Sequence, residues 1–415
     1  MHLIARIRFI FSILLLLSSV TTQAYAGPAF ARQYGAPCNV CHTKTPALND
    51  AGLGFLRNGF RFSKEEATAL ELMLEKDGKK RKIPLGLIAG AGYSSDKDKV
   101  GAAAKLFLTG SITKNLSFYG VTKEQVYSDN ENMKFFNGES SRAFLQYNLG
   151  STENVIVGGL FAPLSQYSNI RRASAGSGLH DAKPEGLPGY FKYKTPLQRS
   201  KVGRLKGLQY SYLSKNNIQL SLAYGEQVSA SARDDEQFPG SGQAFAGLAK
   251  GDGGGGSGGG GPGGGSGGGT PGYYADETSN SLIASLRFDL PSQYQVGLIY
   301  NRFEEAGEDA YSILLPLQKH FKKVNFNSTL VYKNSDASGT YYGWENAAIY
   351  TLGMMTYIKG IANFGKDEND DNEQGYHLGI NKMFNKNFMA GISGIHIDTE
   401  HQNTNSINMS FHIIL

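Results

Sequence analysis

The chain has 415 residues and a formal net charge of +5, with 53 glycines and only two cysteines. Its mean hydropathy is below zero. Beyond the first segment it contains no run of about 18 consecutive apolar residues, so no transmembrane helix is expected. The charge is only mildly positive and no nucleotide-binding motif occurs, so no nucleic-acid partner is expected either.

The first residues resemble an export signal. Arg6 and Arg8 precede an apolar run from Phe9 to Val20, and Ala24-Tyr25-Ala26 places small residues before Gly27. A basic start, a short apolar core and a small-x-small cleavage site are typical of a secretory signal peptide. We therefore predict that residues 1–26 are a signal peptide. An uncleaved anchor helix, the alternative, would need a longer apolar run.

Both cysteines belong to the motif Cys38-Asn-Val-Cys41-His42. In c-type cytochromes, two thiols at this spacing bond to the haem, and the adjacent histidine binds the iron. The alternatives are a redox CxxC pair and a zinc site. Zinc would require further Cys or His ligands, yet His42 is the only histidine between the signal peptide and residue 180. We predict one haem c attached to Cys38 and Cys41, with His42 as its proximal axial ligand.

Capping residues predict two short helices around this haem, one from Thr45 to Gly59 and one from Ser63 to Gly78. Gly52 and Gly54 in the first helix would permit close approach to a flat macrocycle. Met73 is the only methionine of this segment and is the candidate distal iron ligand. The alternatives are that Met73 only fills the core, as methionine on an apolar helix face commonly does, or that the iron takes no sixth ligand from this segment.

From Ile83 onward, apolar and polar residues alternate along runs of about ten residues, the length of a tilted membrane-spanning strand. In Tyr294–Tyr300, for example, Tyr, Val, Leu and Tyr occupy every second position. There are sixteen such runs, at 84–94, 100–112, 116–127, 139–149, 153–165, 205–214, 217–228, 280–290, 293–303, 309–320, 323–334, 341–351, 353–364, 374–384, 387–398 and 404–415.

The links between these runs alternate in length. Short links such as 113–115 and 385–387 alternate with long polar ones, at 166–204, 229–279 and 365–373. Bacterial outer-membrane barrels have short periplasmic turns, long extracellular loops and an even number of strands. We therefore predict an outer-membrane antiparallel β-barrel with both termini in the periplasm. A soluble β-sandwich also alternates, but its strands are shorter and its links do not alternate in length.

The predicted organisation is a signal peptide (1–26), a small α-helical monohaem cytochrome domain (27–82) and a porin-like barrel (83–415). Residues 251–272 are nearly pure glycine and are predicted to be a disordered extracellular loop. A barrel of about sixteen strands is wide enough to hold a plug. We expect residues 27–80 to fold into its lumen.

The segment Phe30–His42, followed by Pro46–Asn49 and Phe55–Arg61, resembles the fused cytochrome–porins of iron-oxidising bacteria. The resemblance is specific over residues 28–62 and architectural over the rest. It implies an outer-membrane protein that oxidises extracellular Fe(II) and passes electrons through its haem to a periplasmic c-type cytochrome or another carrier. The identities of the distal ligand and of the donor are left open by it. The alternatives are a conduit for another donor or acceptor, and a diffusion porin whose haem domain is a structural plug.

Several side chains of the barrel region are candidates for contact with the donor or the haem. Some of them are acidic residues in predicted loops. Their carboxylate oxygens are hard ligands that suit a transient divalent cation, although solvation of the loop is the ordinary explanation of such charges. His377 and His412 are predicted to face the lumen, where each could neighbour the haem or simply be solvated. The acidic residues lie in two predicted extracellular loops, Glu304, Glu305, Glu308 and Asp309 in one and Asp367, Glu368, Asp370, Asp371 and Glu373 in the other.

Overall fold

The structure is a computed structural model. Outside the isolated residues Phe30, Tyr34 and Glu71, it describes residues 40–44, 47–48, 50–62, 85–94, 99–129, 132–137, 142–161, 196–200, 202, 204–214, 216–228, 279–290, 294–321, 323–353, 356–368, 372–385, 388–399 and 402–414. The predicted signal peptide and the glycine-rich stretch 251–272 lie outside these residues. No helix in the described part of the chain is long and apolar enough to cross a membrane.

The N-terminal segment begins with a two-stranded hairpin, β1 (His42–Lys44) and β2 (Ala47–Leu48), followed by helix α1 (Asp50–Arg57). The predicted start of this helix at Thr45 is wrong. Leu48 lies within the predicted helix, but it pairs with His42 in the hairpin and is therefore extended. The helix can begin only after this residue. Asp50 instead begins α1, where its carboxylate favours the positive end of the helix dipole.

The predicted helix stop at Gly59 is confirmed. Gly59 has a φ of 67°. Its N–H donates to the Leu56 carbonyl at 3.3 Å, and the Phe60 N–H donates to the Phe55 carbonyl at 2.9 Å. This is the Schellman pattern, in which a left-handed glycine lets the chain satisfy the last helical carbonyls.

The remaining strands form one closed antiparallel barrel. They are β3 (Leu85–Ser94), β4 (Lys99–Ser111), β5 (Leu116–Asp129), β6 (Asn132–Asn137), β7 (Arg142–Asn148), β8 (Glu153–Phe161), β9 (Arg204–Leu213), β10 (Ile218–Val228), β11 (Ser279–Leu290), β12 (Tyr294–Glu305), β13 (Glu308–His320), β14 (Val324–Ser335), β15 (Gly339–Gly353), β16 (Thr356–Asp367), β17 (Asn372–Asn385), β18 (Phe388–Thr399) and β19 (Gln402–Ile414). The barrel closes where β19 pairs with β3. β6 and β7 both pair with β5, one with each half of that strand, so the wall is equivalent to sixteen strands, as predicted.

Links at the two ends of the barrel differ in length. At the end that carries the start of β3 and the end of β19, here called the termini end, every link between strands has two to four residues. At the opposite end, here called the far end, two links are long: 162–203, which includes the short helix α2 (Pro196–Arg199), and 229–278. The predicted long loop 365–373 is wrong, because β16 and β17 leave only residues 368–371 between them.

Side chains on the wall are distributed opposite to those of a soluble protein. Along β12, exposed and buried residues alternate at every position, and the exposed ones are mostly large and apolar. Leu298 is 45% exposed, whereas Asn301, which faces the lumen three positions further along the same strand, is completely buried. An apolar exterior over a polar interior is the pattern of a barrel that faces lipid.

Two aromatic belts border the apolar exterior. Tyr342 and Tyr350 mark the belts on β15, and eight residues at ~3.4 Å each span roughly 27 Å along a tilted strand, close to the ~25 Å apolar band of outer-membrane barrels. At the termini end, the Lys319 ammonium lies 3.3 Å from the centroid of the Tyr294 ring, as expected where a lysine reaches from lipid toward water. The far-end belt contains Tyr300, Tyr311, Tyr332, Tyr342, Trp344, Phe364, Tyr376 and His396, with ring contacts of 5.3–6.3 Å.

Replacing Leu298 by arginine will destabilise the barrel by about 2–4 kcal/mol, because the charge enters the middle of the lipid-facing band. Unfolding by urea in phospholipid vesicles measures this cost. Glu304→Arg is the matched control, since Glu304 faces outward beyond the belt, and it will change stability by less than about 1 kcal/mol. Equal costs at the two positions would contradict a lipid-facing Leu298.

Candidate functional site in the barrel lumen

The N-terminal segment has a small aromatic core of its own. Phe55, Leu56 and Phe60 are buried, and the rings of Phe30, Tyr34 and Phe62 cover them. Ring centroids in its five closest pairs lie 4.8–5.5 Å apart. Each such pair contributes about 0.5–1.5 kcal/mol beyond the burial of its area. This core holds α1 against Phe30 and Tyr34, which precede the Cys38–His42 motif in the chain.

The C-terminal end of α1 lies against the inner wall of the barrel. The Gln146 side-chain amide on β7 donates to the carbonyls of Leu56 at 3.1 Å and Arg57 at 3.0 Å. The Arg57 guanidinium donates to the Gln219 side-chain oxygen on β10 at 2.8 Å. Gln146 and Gln219 are buried, lumen-facing residues, so α1 lies inside the lumen near the termini end. The described part of the predicted plug, helix α1, therefore lies in the lumen, but its partners on the wall were not predicted from the sequence.

The chain leaves α1 through a strained turn that also contacts the wall. Phe60 follows Gly59 with a φ of 64°, an unusual conformation for a bulky residue. A Cβ at Gly59 would lie 2.9 Å from the Ser117 hydroxyl oxygen on β5, so only glycine fits there without displacement. Next along the chain, Arg61 is 1% exposed and its guanidinium donates to the Lys114 carbonyl in the link between β4 and β5. The wall thus fixes the segment at several points.

Only part of the predicted haem motif lies among the described residues. Cys38 lies outside them, Cys41 is partly exposed, and His42 is described only through its backbone. One nearby feature is compatible with a haem: among the described residues, a Cβ at Gly54 would meet no atom within 4 Å, so this side of α1 is open.

The predicted second helix and the candidate distal ligand are largely outside the described residues. Met73 lies outside them, and from this stretch the structure describes Glu71, which is helical and exposed. Met73 as a ligand of the haem iron therefore stays a prediction.

A second segment, Pro196–Ser200 with Val202, fills part of the lumen toward the far end. The Ser200 carbonyl accepts hydrogen bonds from the Asn301 amide at 3.2 Å and the Ser312 hydroxyl at 2.7 Å. Leu197 and Val202 pack into a buried apolar cluster on the inner wall. Sequence reasoning placed this stretch in an extracellular loop. Its apolar residues flanked by lysines and serines gave no periodic signal of an inward turn.

Phe144 on β7 joins the two lumen segments. Its ring stacks on Tyr119 at 4.9 Å, and Tyr119 lies 6.0 Å from the Phe60 ring of the N-terminal segment. Phe144 also packs against the apolar cluster that holds Leu197. The two segments are therefore connected through these wall side chains.

The lumen wall also carries charged and titratable side chains. Glu345 and Lys359 are completely or almost completely buried on β15 and β16. His377 lies on the lumen side of β17, as predicted, and its backbone pairs with Ile361 two residues after Lys359. His412 pairs with Met389 and Gly90, and its side chain lies outside what the structure describes. Neither histidine is brought next to α1 by a contact among the described residues.

The prediction that Glu304 to Asp309 form an acidic loop is wrong. Ala306 and Gly307 have φ values of 54° and 80°, which makes a two-residue turn that continues β12 directly into β13. The Asp309 carboxylate lies 2.8 Å from the Arg302 guanidinium, and the Glu305 carboxylate 2.5 Å from the Lys333 ammonium. Two of these carboxylates are therefore neutralised by neighbours.

Glu305 lies next to the turn, beyond the aromatic belt and outside the membrane-spanning band. Burial opposes its ionisation, but the Lys333 ammonium and the Ser338 hydroxyl outweigh burial and lower the pKa of Glu305 to about 2. Its negative charge is consequently retained in moderately acidic water, but it is directed at Lys333.

The second predicted acidic set is only partly described. Glu368 is exposed, Asp367 and Glu373 are partly exposed, and Asp370 and Asp371 lie outside the described residues. Within the described ranges, no three or more His, Cys, Asp or Glu side chains are grouped so as to hold a metal ion. The described far end therefore offers dispersed negative charge rather than a built cation site.

No protein-family model and no curated protein matches this chain. Among solved structures it is similar to OmpT of Vibrio cholerae lacking loop L8, with 11% identity, 80% of this chain and 98% of that chain covered and a TM-score of 0.46. The anion-selective porin from Comamonas acidovorans gives 11% identity, 80% and 98% coverage and a TM-score of 0.44. For Salmonella typhi OmpF in complex with daunomycin, the identity is 11%, 80% of this chain and 97% of that chain are covered, and the TM-score is 0.47.

Proposed function

We propose that this chain is an outer-membrane electron-transfer cytochrome that oxidises extracellular Fe(II) and delivers the electron to a periplasmic carrier. The observation that carries the proposal is the position of α1. The helix begins two residues after the hairpin that contains His42, and its other end is hydrogen-bonded to the lumen-facing Gln146. A haem held by Cys38, Cys41 and His42 would therefore lie within the barrel.

The geometry explains why one haem suffices. The apolar band of an outer membrane is about 25 Å thick, and a haem outside the lumen would serve only one of its two sides. When bound, the haem supplies a centre that accepts and returns one electron. The chain's own residues fix this centre in the lumen and fill the space around it, through α1 and through the segment at Ser200.

The electron balance requires two partners. Each Fe(II) that becomes Fe(III) outside loses one electron, and a periplasmic c-type cytochrome or another soluble carrier must remove it. The termini end would then face the periplasm, and the far end, with exposed carboxylates such as Glu304, Glu308 and Glu368, would meet the cation. The segment's resemblance to the fused cytochrome–porins supports Fe(II) as the donor.

Anaerobic stopped-flow spectroscopy tests this proposal. Mixing the oxidised holoprotein with Fe(II) will produce the absorption bands of reduced c-type haem, and a His42→Ala protein will not produce them. Both proteins are also mixed with dithionite. Reduction by dithionite without reduction by Fe(II) would reject iron as the donor while leaving the haem in place.

A diffusion porin with a haem domain as structural plug is the second candidate. The observation in its favour is the polar inner wall, where residues such as Gln209, Asn327 and Thr329 are buried and face the lumen. Diffusion requires a continuous aqueous path past both lumen segments. Ion conductance therefore separates the two functions.

A further inference from the structure

Gln146 occupies an unusual position on the lumen wall. Its side-chain amide nitrogen lies within hydrogen-bond distance of three acceptors, the Leu56 carbonyl at 3.1 Å, the Arg57 carbonyl at 3.0 Å and the Asn148 side-chain oxygen at 3.0 Å. Two of the three belong to the last turn of α1. The residue is completely buried, so water does not replace these bonds.

The last carbonyls of a helix have no partner within the helix and need one elsewhere. In α1 the Gly59 turn satisfies Phe55 and Leu56 from within the segment, whereas Gln146 reaches Leu56 and Arg57 from the barrel. A buried carbonyl left without a donor costs about 1–3 kcal/mol. The amide of Gln146 therefore links the stability of the helix end to one position on β7.

The start of α1 lies close in sequence to the predicted haem motif. His42 pairs with Leu48 in the hairpin, and Asp50 begins the helix. Because only Asn49 separates the hairpin from α1, a displacement of the helix would move the hairpin as well. The position and tilt of α1 therefore influence where the His42 backbone lies.

We infer that Gln146 is a positioning residue for the haem, acting through the last turn of α1 to fix the haem-bearing hairpin against β7. This inference rests on the proposed function, because it requires a haem on Cys38, Cys41 and His42. Gln146 does not itself need to touch the haem. Gln146 affects the burial and orientation of the haem, and haem burial is among the properties that set its reduction potential.

Gln146→Met removes the amide at similar volume, and Gln209→Met is the matched control. Gln209 is also a completely buried, lumen-facing glutamine, but its amide donates to Ser211 within the wall at 2.6 Å. Covalent haem content and heat-modifiable migration of the barrel establish that each variant is folded and loaded. The readouts are the reduction potential and the electron paramagnetic resonance spectrum of the ferric holoprotein.

The Gln146→Met holoprotein will favour the ferric state roughly tenfold more than the unaltered protein, a shift of ~59 mV for a one-electron couple, because water gains access to the haem. Its ferric spectrum will broaden, and Gln209→Met will change neither property. Gln146→Asn keeps the amide group on a shorter side chain, and this variant will shift the reduction potential in the same direction.

Hydrogen exchange at Asn58, Gly59 and Phe60 provides a second measurement that does not depend on the haem. Exchange there will be faster in Gln146→Met than in Gln209→Met. An unmoved potential and spectrum in both Gln146 variants, with haem attached, would overturn this inference alone. Absence of covalent haem from the unaltered protein would overturn the proposed function as well.

Discussion

A protein carrying both Cys38→Ala and Cys41→Ala will contain no haem that survives denaturation, while its barrel will still fold. Two thioether bonds to this motif are the covalent attachment of a c-type haem, and the chain has no other cysteine to replace them. Haem staining after denaturing electrophoresis and the mass of the intact chain measure the loss. Heat-modifiable migration will report a folded barrel in both proteins.

The barrel is expected to survive because its strands hold one another. β3 to β19 close through backbone pairing in which no described residue of the N-terminal segment takes part. Met73→Leu is the control, since it replaces a side chain of similar volume and will retain covalent haem. Loss of the weak sulfur–iron absorption band in that variant would assign the distal ligand. Covalent haem in the double alanine variant would contradict attachment at these cysteines.

The barrel was predictable because each wall strand separates two different solvents. Lipid on one side and a polar lumen on the other impose a period of two, so the predicted run 293–303 matches β12 to within two residues at its far end. The error there has a physical cause. The charges of Glu304, Glu305, Glu308 and Asp309 are typical of a loop, but ion pairs to Arg302 and Lys333 let the strands continue to a two-residue turn.

The candidate site was predictable only where its chemistry is local. Gly59 stops α1 through its own backbone conformation, so the sequence sufficed to predict it. The partners of α1 on the wall, Gln146 and Gln219, are two of many inward polar residues. Which of them meets the helix depends on where the plug lies, and no short-range pattern contains that information. The same holds for Ser200, because the side chains that donate to its carbonyl are more than one hundred residues away in the sequence.

Planar-bilayer recordings will show low conductance for the intact protein, and removing one lumen segment will raise it much less than removing both. The two segments lie in series, α1 at Gln146 toward the termini end and Pro196–Val202 at Asn301 toward the far end. Ions that cross the barrel must pass both obstructions, and the narrower one sets the current. When residues 27–82 are deleted, the segment Pro196–Val202 therefore still limits the conductance.

The second variant replaces residues 196–202 by a short glycine–serine linker, and the third combines both changes. A barrel of sixteen strands has an interior wide enough for an aqueous channel once side chains and plugs are removed. The combined variant will consequently conduct at the level of an open porin. If the intact protein already conducts at that level, the lumen is open to ions and the diffusion porin becomes the better function. If only the combined variant conducts, the lumen segments isolate the two sides, as an electron conduit requires.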